Sequence, residues 1–129
     1  MLNCLAVGAG GFVGAVCRYL LGLIPANLGG TTMGVICTTF AINVIGSFAI
    51  GLIVAVSSRQ ANFSPELLLF LKVGICGGFT TFSTFSLESL QLIESGAWGL
   101  AALYMVASVV ACVAAAFAGD AAGAAFVKQ

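Results

Sequence analysis

Residues Gly77 to Ser86 read GGFTTFSTFS and pack two glycines, three phenylalanines and five hydroxyls into ten positions. The flanks, LLLFLKVGIC from Leu67 and LESLQLIESGAWGL from Leu87, have helical, apolar patterns. Gly77 and Gly78 weaken a helix, and Thr and Ser side chains offer the backbone alternative hydrogen bonds, so this stretch predicts a break. Carbonyls and amides freed in a membrane survive only when buried in protein or lining a polar cavity. Freed carbonyls suit a small hard cation; hydroxyls and freed N–H groups suit an anion. Beyond the break, Phe79, Phe82 and Phe85 recur at three-residue steps. Thr80 and Thr84 line a second face with Ser83 beside them, so an aromatic stripe runs next to a hydroxyl stripe.

The rest of the chain says that the solvent is lipid. Of 129 residues only 6% are charged, 61% are apolar, and the mean hydropathy is +1.20. Soluble domains carry about 25% charged residues, too many for this chain to imitate. Net charge is zero, which points away from nucleic acid as a partner. The N-terminus MLN has no basic run before its apolar segment, and Arg18 lies within that segment, so no cleaved signal peptide is expected. Five cysteines without close spacing, and no histidine, read as small core residues rather than as a disulfide framework or a zinc site.

A membrane-spanning helix needs about 20 largely apolar residues. Four candidates fit: Cys4 to Ile24, stopped by Pro25; Met33 to Val56, stopped by Ser57-Ser58-Arg59; Leu67 through the break towards Leu92; and Ala97 to Ala118. The connections are short, so the expectation is an all-α integral membrane protein made of one four-helix domain over residues 1–129, with no soluble catalytic domain. Four spans put Arg59 and Lys128 on one side, with Lys72 able to snorkel there, against Arg18 on the other. That is a weak positive-inside bias. Small residues four apart (Gly10 and Gly14, Ser47 and Gly51, Gly74 and Gly78, Ala107 and Ala111) allow close helix packing and favour a homo-oligomer.

Polar groups inside lipid are costly and face protein or water. Thr38 and Ser108 can bond back to their own helix, while Lys72 and Tyr104 suit the membrane interface. Asn43 is different. It sits mid-helix in Ala41-Ile42-Asn43-Val44-Ile45 with two amide donors to satisfy, either as glue between helices or as a ligand contact.

GGFTTFSTFS resembles the signature of the Fluc-type fluoride channels, the CrcB family. Gly14-Ala15-Val16-Cys17-Arg18-Tyr19 is similar to that family's first-helix arginine motif, and Thr39-Phe40-Ala41-Ile42-Asn43-Val44-Ile45-Gly46 to its second-helix asparagine motif. Tyr104 and Ser108 sit where the family's fourth helix carries polar residues. Thr38 and Ala111 depart from it, at positions where glycine is common. The resemblance implies a dual-topology antiparallel homodimer in the cell membrane with two fluoride pores. It implies a structural Na+ held by main-chain carbonyls of Gly77 and Thr80. It also implies a pore lined by Asn43, Phe82, Phe85, Thr39, Ser83 and Thr84, with Glu88, Tyr104 and Ser108 further along, and Arg18 as a structural polar residue.

The chemistry of those residue types agrees. Fluoride is small and strongly hydrated, so a pore must replace its water with donors weak enough to let it go. Amide and hydroxyl donors do this without fixed charge, and phenyl rings can present a positive edge. A small-multidrug-type antiporter shares the size and the four helices but is expected to carry an acidic residue in its first span, which here holds Arg18 instead. A non-transporting membrane scaffold explains the small residues but not the broken third helix.

Overall fold

The computed structural model describes residues 1–27 and 30–127. Lys128, used above in the charge bias, lies outside them. All regular structure among the described residues is helical, and four stretches are long and apolar enough to cross a membrane: Leu2–Pro25, Thr32–Arg59, Pro65–Glu94 and Trp98–Val127.

Three helix ends differ from expectation, each for a local reason. The first helix, α1 (Leu2–Asn27), runs past Pro25 for the rest of a turn. Proline removes its own donor, but its carbonyl still accepts, and Gly30 N–H closes onto Pro25 O at 2.8 Å. The second, α2 (Thr32–Arg59), opens on the Thr31 cap, whose hydroxyl accepts from Gly34 N–H at 3.1 Å. It continues through Ser57-Ser58-Arg59 because those side chains bond back to the helix. Ser57 and Ser58 hydroxyls donate to Val54 O at 3.0 and 2.7 Å, and Arg59 Nη1 donates to Ala55 O at 2.9 Å. The last helix, α6 (Trp98–Val127), extends well beyond Ala118. Its Ala-rich end has high helix propensity, and Gly119 and Gly123 seat it against α2.

The third span is four pieces: α3 (Pro65–Leu68), capped by Ser64; a π-helical stretch (Leu69–Cys76); α4 (Gly77–Phe79); and α5 (Phe82–Glu94). It is broken, but at Thr80-Thr81 rather than at the glycines. Gly77 keeps helical angles (φ −66°, ψ −37°), whereas Thr80 turns extended (ψ 156°) and Thr81 follows (φ −148°, ψ 110°). Phe79 therefore precedes the break and does not share a helix face with Phe82 and Phe85, and Thr80 does not share one with Thr84. Gly96, at φ 79°, closes the short turn into α6 with its amide on Ile93 O.

Two helix pairs make up the subunit: α1 against the third span, and α2 against α6. The small residues are the reason. A Cβ on Gly10 would strike the backbone of Phe70 and Gly74, and one on Gly14 that of Ile75, Phe79 and Gly78. Gly51 meets Ala116 O, and Gly119 meets Phe48 O, in the same way. Gly10, Gly14, Gly51, Gly74 and Gly78 are therefore used up inside one subunit. They bring its own helices together and so carry no argument for an oligomer. A small core gathers Ile36, Phe85, Leu92, Ala101 and Tyr104, next to the break. Most other large apolar side chains, such as Phe12, Val110 and Phe117, point outward, as a lipid solvent permits.

Candidate functional site

The break is organised from α2. Asn43 Oδ1 accepts from Thr81 N–H at 2.8 Å, and Asn43 Nδ2 donates to Thr81 O at 3.2 Å. One side chain thus pairs both backbone groups of one residue, as a neighbouring β-strand would. Of the two roles open to Asn43, the geometry shows it gluing α2 to the break, with one amide hydrogen left over.

This pairing redistributes the helical hydrogen bonds. In an unbroken helix the Thr81 amide would reach Gly77 O, four residues back. Here it goes to Asn43. The Thr84 amide would likewise reach Thr80 O, but it goes to Thr81 Oγ1 at 3.2 Å, which caps α5. Thr80 itself is held back, its amide and hydroxyl both donating to Cys76 O at 3.0 and 2.9 Å. Gly78 O receives a different donor, Arg18 Nε from α1 at 3.1 Å. The break thus parts four carbonyls, those of Gly77, Gly78, Phe79 and Thr80, from the amides four residues ahead, and of these Gly78 O takes Arg18 instead.

Two cavities meet at Thr81. The first, about 340 Å³, is lined by Asn43, Thr80, Phe82, Phe85 and Ser108 among others. The second, about 380 Å³, lies on the other side, lined by Arg18, Thr38, Thr39, Thr84 and Glu88. Phe82 and Phe85 are neighbours, with ring centroids 5.4 Å apart and planes tilted by 47°. They play unequal parts: Phe85 is 8% exposed and packs on Tyr104 at 5.1 Å, whereas Phe82 is 77% exposed. Ser108 Oγ is buried at the first cavity with no hydrogen-bond partner among the described residues. Thr38, by contrast, donates back to Gly34 O at 2.9 Å.

In the second cavity Glu88 is the focus. Its side chain is buried between helices, taking a hydrogen bond from Thr39 Oγ1 at 2.7 Å and another from Tyr104 OH at 2.7 Å. One carboxyl group thereby ties α2 and α6 to α5. Tyr104 is accordingly buried between helices, with its hydroxyl given to Glu88. Ser83 is exposed and touches the site only through Thr81 Oγ1, at 3.3 Å.

The site residues anticipated from sequence thus fall around one broken helix, and the residue at its centre was not among them. Thr81 is paired by Asn43, caps α5, donates to Thr84 Oγ1 at 2.9 Å and borders both cavities. A threonine one residue ahead of Phe82-Ser83-Thr84 is an ordinary helix-start signal, and it could have been found on that ground.

Comparison with known proteins places this arrangement. A family model described as CrcB-like protein, Camphor Resistance (CrcB), matches residues 5–120. A relative from Agrobacterium fabrum, named fluoride-specific ion channel FluC, is 48% identical over 123 residues, covering 95% of this chain and 97% of the relative. Relatives of the same name from Rhodospirillum centenum and Chlorobaculum tepidum are 47% and 45% identical over 115 and 120 residues, covering 89% and 92% of this chain and 90% and 92% of the relatives. These relatives are named as ion channels, not enzymes. With four membrane-length helices, a broken third span and a match that covers nearly the whole chain, this protein belongs to the CrcB family.

Proposed function

We propose that this protein conducts fluoride passively out of the cell across the plasma membrane. The observation that carries the reading is the break at Thr80-Thr81. Its backbone is bound by an amide side chain, and it stands between two cavities whose linings include hydroxyl and amide donors, with Arg18 beside the second. Asn43, Thr84 and Ser108 offer neutral donors, the unpartnered Ser108 hydroxyl is free to face an anion, and Thr39 joins the path through its bond to Glu88. Ser83, Glu88 and Tyr104 complete the proposed path. Donors without full charge replace fluoride's water and still release it.

The functional unit is an antiparallel dimer with two pores. Phe82 is placed for this, since it is exposed at the rim of the first cavity, where a second copy would pack on it. Such a pair would bring the carbonyls of Gly77 and Thr80 from both chains together, four neutral oxygens around one point. These are two of the four carbonyl oxygens that the break parts from their helical donors, and neutral oxygens suit a hard monovalent cation. Bound there, Na+ would serve as a structural tie between subunits.

A second reading draws on Glu88. A buried carboxyl held by two hydroxyls is a group that could carry a proton, as an antiporter would require. One experiment addresses both. Purified protein in liposomes should release fluoride down its gradient at a rate independent of an imposed pH gradient. Release driven by the proton gradient would transfer the function to the antiporter reading, and the absence of any release would reject transport.

A further inference from the structure

All five cysteines are free thiols, and two of them, Cys76 and Cys112, line the first cavity. They reach it from different helices. Cys76 ends the π-helical stretch four residues before Thr80, and Cys112 follows Ser108 by four residues on α6. Thr80 and Ser108 line the same cavity, and residues four apart on a helix share a face, so the two thiols belong to two walls of one chamber. Gly46, Ser47 and Ile50 of α2 form the wall between them.

The number of ligands decides what this pair could hold. Among the described residues no group of three or more His, Cys, Asp or Glu side chains is placed to bind a metal ion. A structural zinc takes four N or S ligands, so two thiols do not suit it. They suit a soft ion satisfied by two, because thiolate selects soft metals. Charge narrows the choice further. A complex inside lipid must be nearly neutral, and two thiolates cancel a divalent ion. Ser108 Oγ, buried at this cavity without a partner, has lone pairs to add as a weak third donor.

We propose that Cys76 and Cys112 bind a soft divalent cation of the mercuric type across the first cavity. Each thiol gives its proton to water and two sulfur–metal bonds form. When the ion arrives as mercuric chloride two chlorides leave, and nothing is oxidised or reduced. Mercuric chloride is uncharged, so neither lipid nor an anion path turns it away. The ligation is independent of what the pore carries; only its consequence, a blocked path, rests on the fluoride reading.

Cys4, Cys17 and Cys37 are exposed and would each take the metal singly. The test therefore uses the whole chain with Cys4→Ala, Cys17→Ala and Cys37→Ala, purified in detergent. It is loaded with mercuric chloride, challenged with glutathione equal in amount to the protein thiols, and weighed by mass spectrometry. One mercury per subunit should survive the challenge, and zinc chloride should leave no metal bound. Adding Cys76→Ala or Cys112→Ala should lower retention by about tenfold or more, since the second thiol acts at high effective concentration. Thermal unfolding without metal checks that these variants fold; if the buried Cys76→Ala does not, Cys112→Ala decides alone. Two mercury ions per subunit, or retention unchanged by loss of either thiol, shows two independent thiols and overturns the proposal. So does mercury that glutathione strips from the chain holding both. Fluoride release is followed on the same samples. Retained mercury with release stopped supports both the site and the path, whereas retained mercury with undiminished release supports the site and removes the first cavity from the path.

Discussion

Asn43 and Thr81 form a reciprocal pair: the amide oxygen takes the Thr81 N–H at 2.8 Å and the amide nitrogen gives to the Thr81 carbonyl at 3.2 Å. The site depends on this pair, because it pulls the Thr81 amide away from Gly77 and so holds the helix open. Asn43→Ala should therefore cost both flux and fold. Leaving a buried backbone group unpaired costs about 1–3 kcal/mol, so thermal stability should fall together with fluoride release. Full stability with reduced flux would return Asn43 to a purely ligand-contacting role.

The Thr81 hydroxyl is separable from its backbone. Thr81→Val removes the cap from α5 and should destabilise by about 1 kcal/mol, whereas Thr81→Ser keeps the oxygen and should behave as wild type. Thermal unfolding of the two variants checks this. Equal stability would show that the cap contributes nothing.

The aromatic pair should divide. Phe82 is exposed, so Phe82→Ile should lower fluoride flux and leave subunit stability unchanged. Phe85 is buried against Tyr104, so Phe85→Ile should lower both, with a packing loss on the order of 1 kcal/mol. Unchanged flux in both variants would reduce the rings to packing.

Glycines on α1 offer a control within a single helix. A Cβ at Gly10 would drive into the backbone of Phe70 and Gly74, whereas one at Gly11 meets nothing within 4 Å. Gly10→Ala should sharply lower the yield of folded protein, while Gly11→Ala should be neutral or slightly stabilising, by up to about 1 kcal/mol. Similar behaviour of the two would contradict the packing of α1 on the third span.

If the Gly77 and Thr80 carbonyls hold Na+ between two subunits, Na+ should raise the dimer's thermal midpoint and sustain fluoride flux, and K+ should substitute poorly. The carbonyls themselves cannot be mutated, so the ion is the variable. Stability and flux indifferent to Na+ would remove the cation from the proposal.

The membrane as solvent, the four spans and the interruption of the third were all legible in the chain, because hydropathy and length act locally and each segment meets lipid by itself. The GGFTTFSTFS stretch carried the family resemblance through residue identity alone. Where the break falls was not legible: glycines permit an irregular backbone, but here Gly77 keeps helical angles and the bare face of Gly78 is taken up by the approach of α1. The opening shifts to Thr80-Thr81 because Asn43, thirty-eight residues away, offers that backbone a better partner than its own helix does. The destination of the small residues, packing within one subunit, and the junction of Thr39, Glu88 and Tyr104 were likewise settled only when the helices came together. Close approach and hydrogen bonding between distant residues depend on which helix lies beside which, and no local pattern in the chain records that.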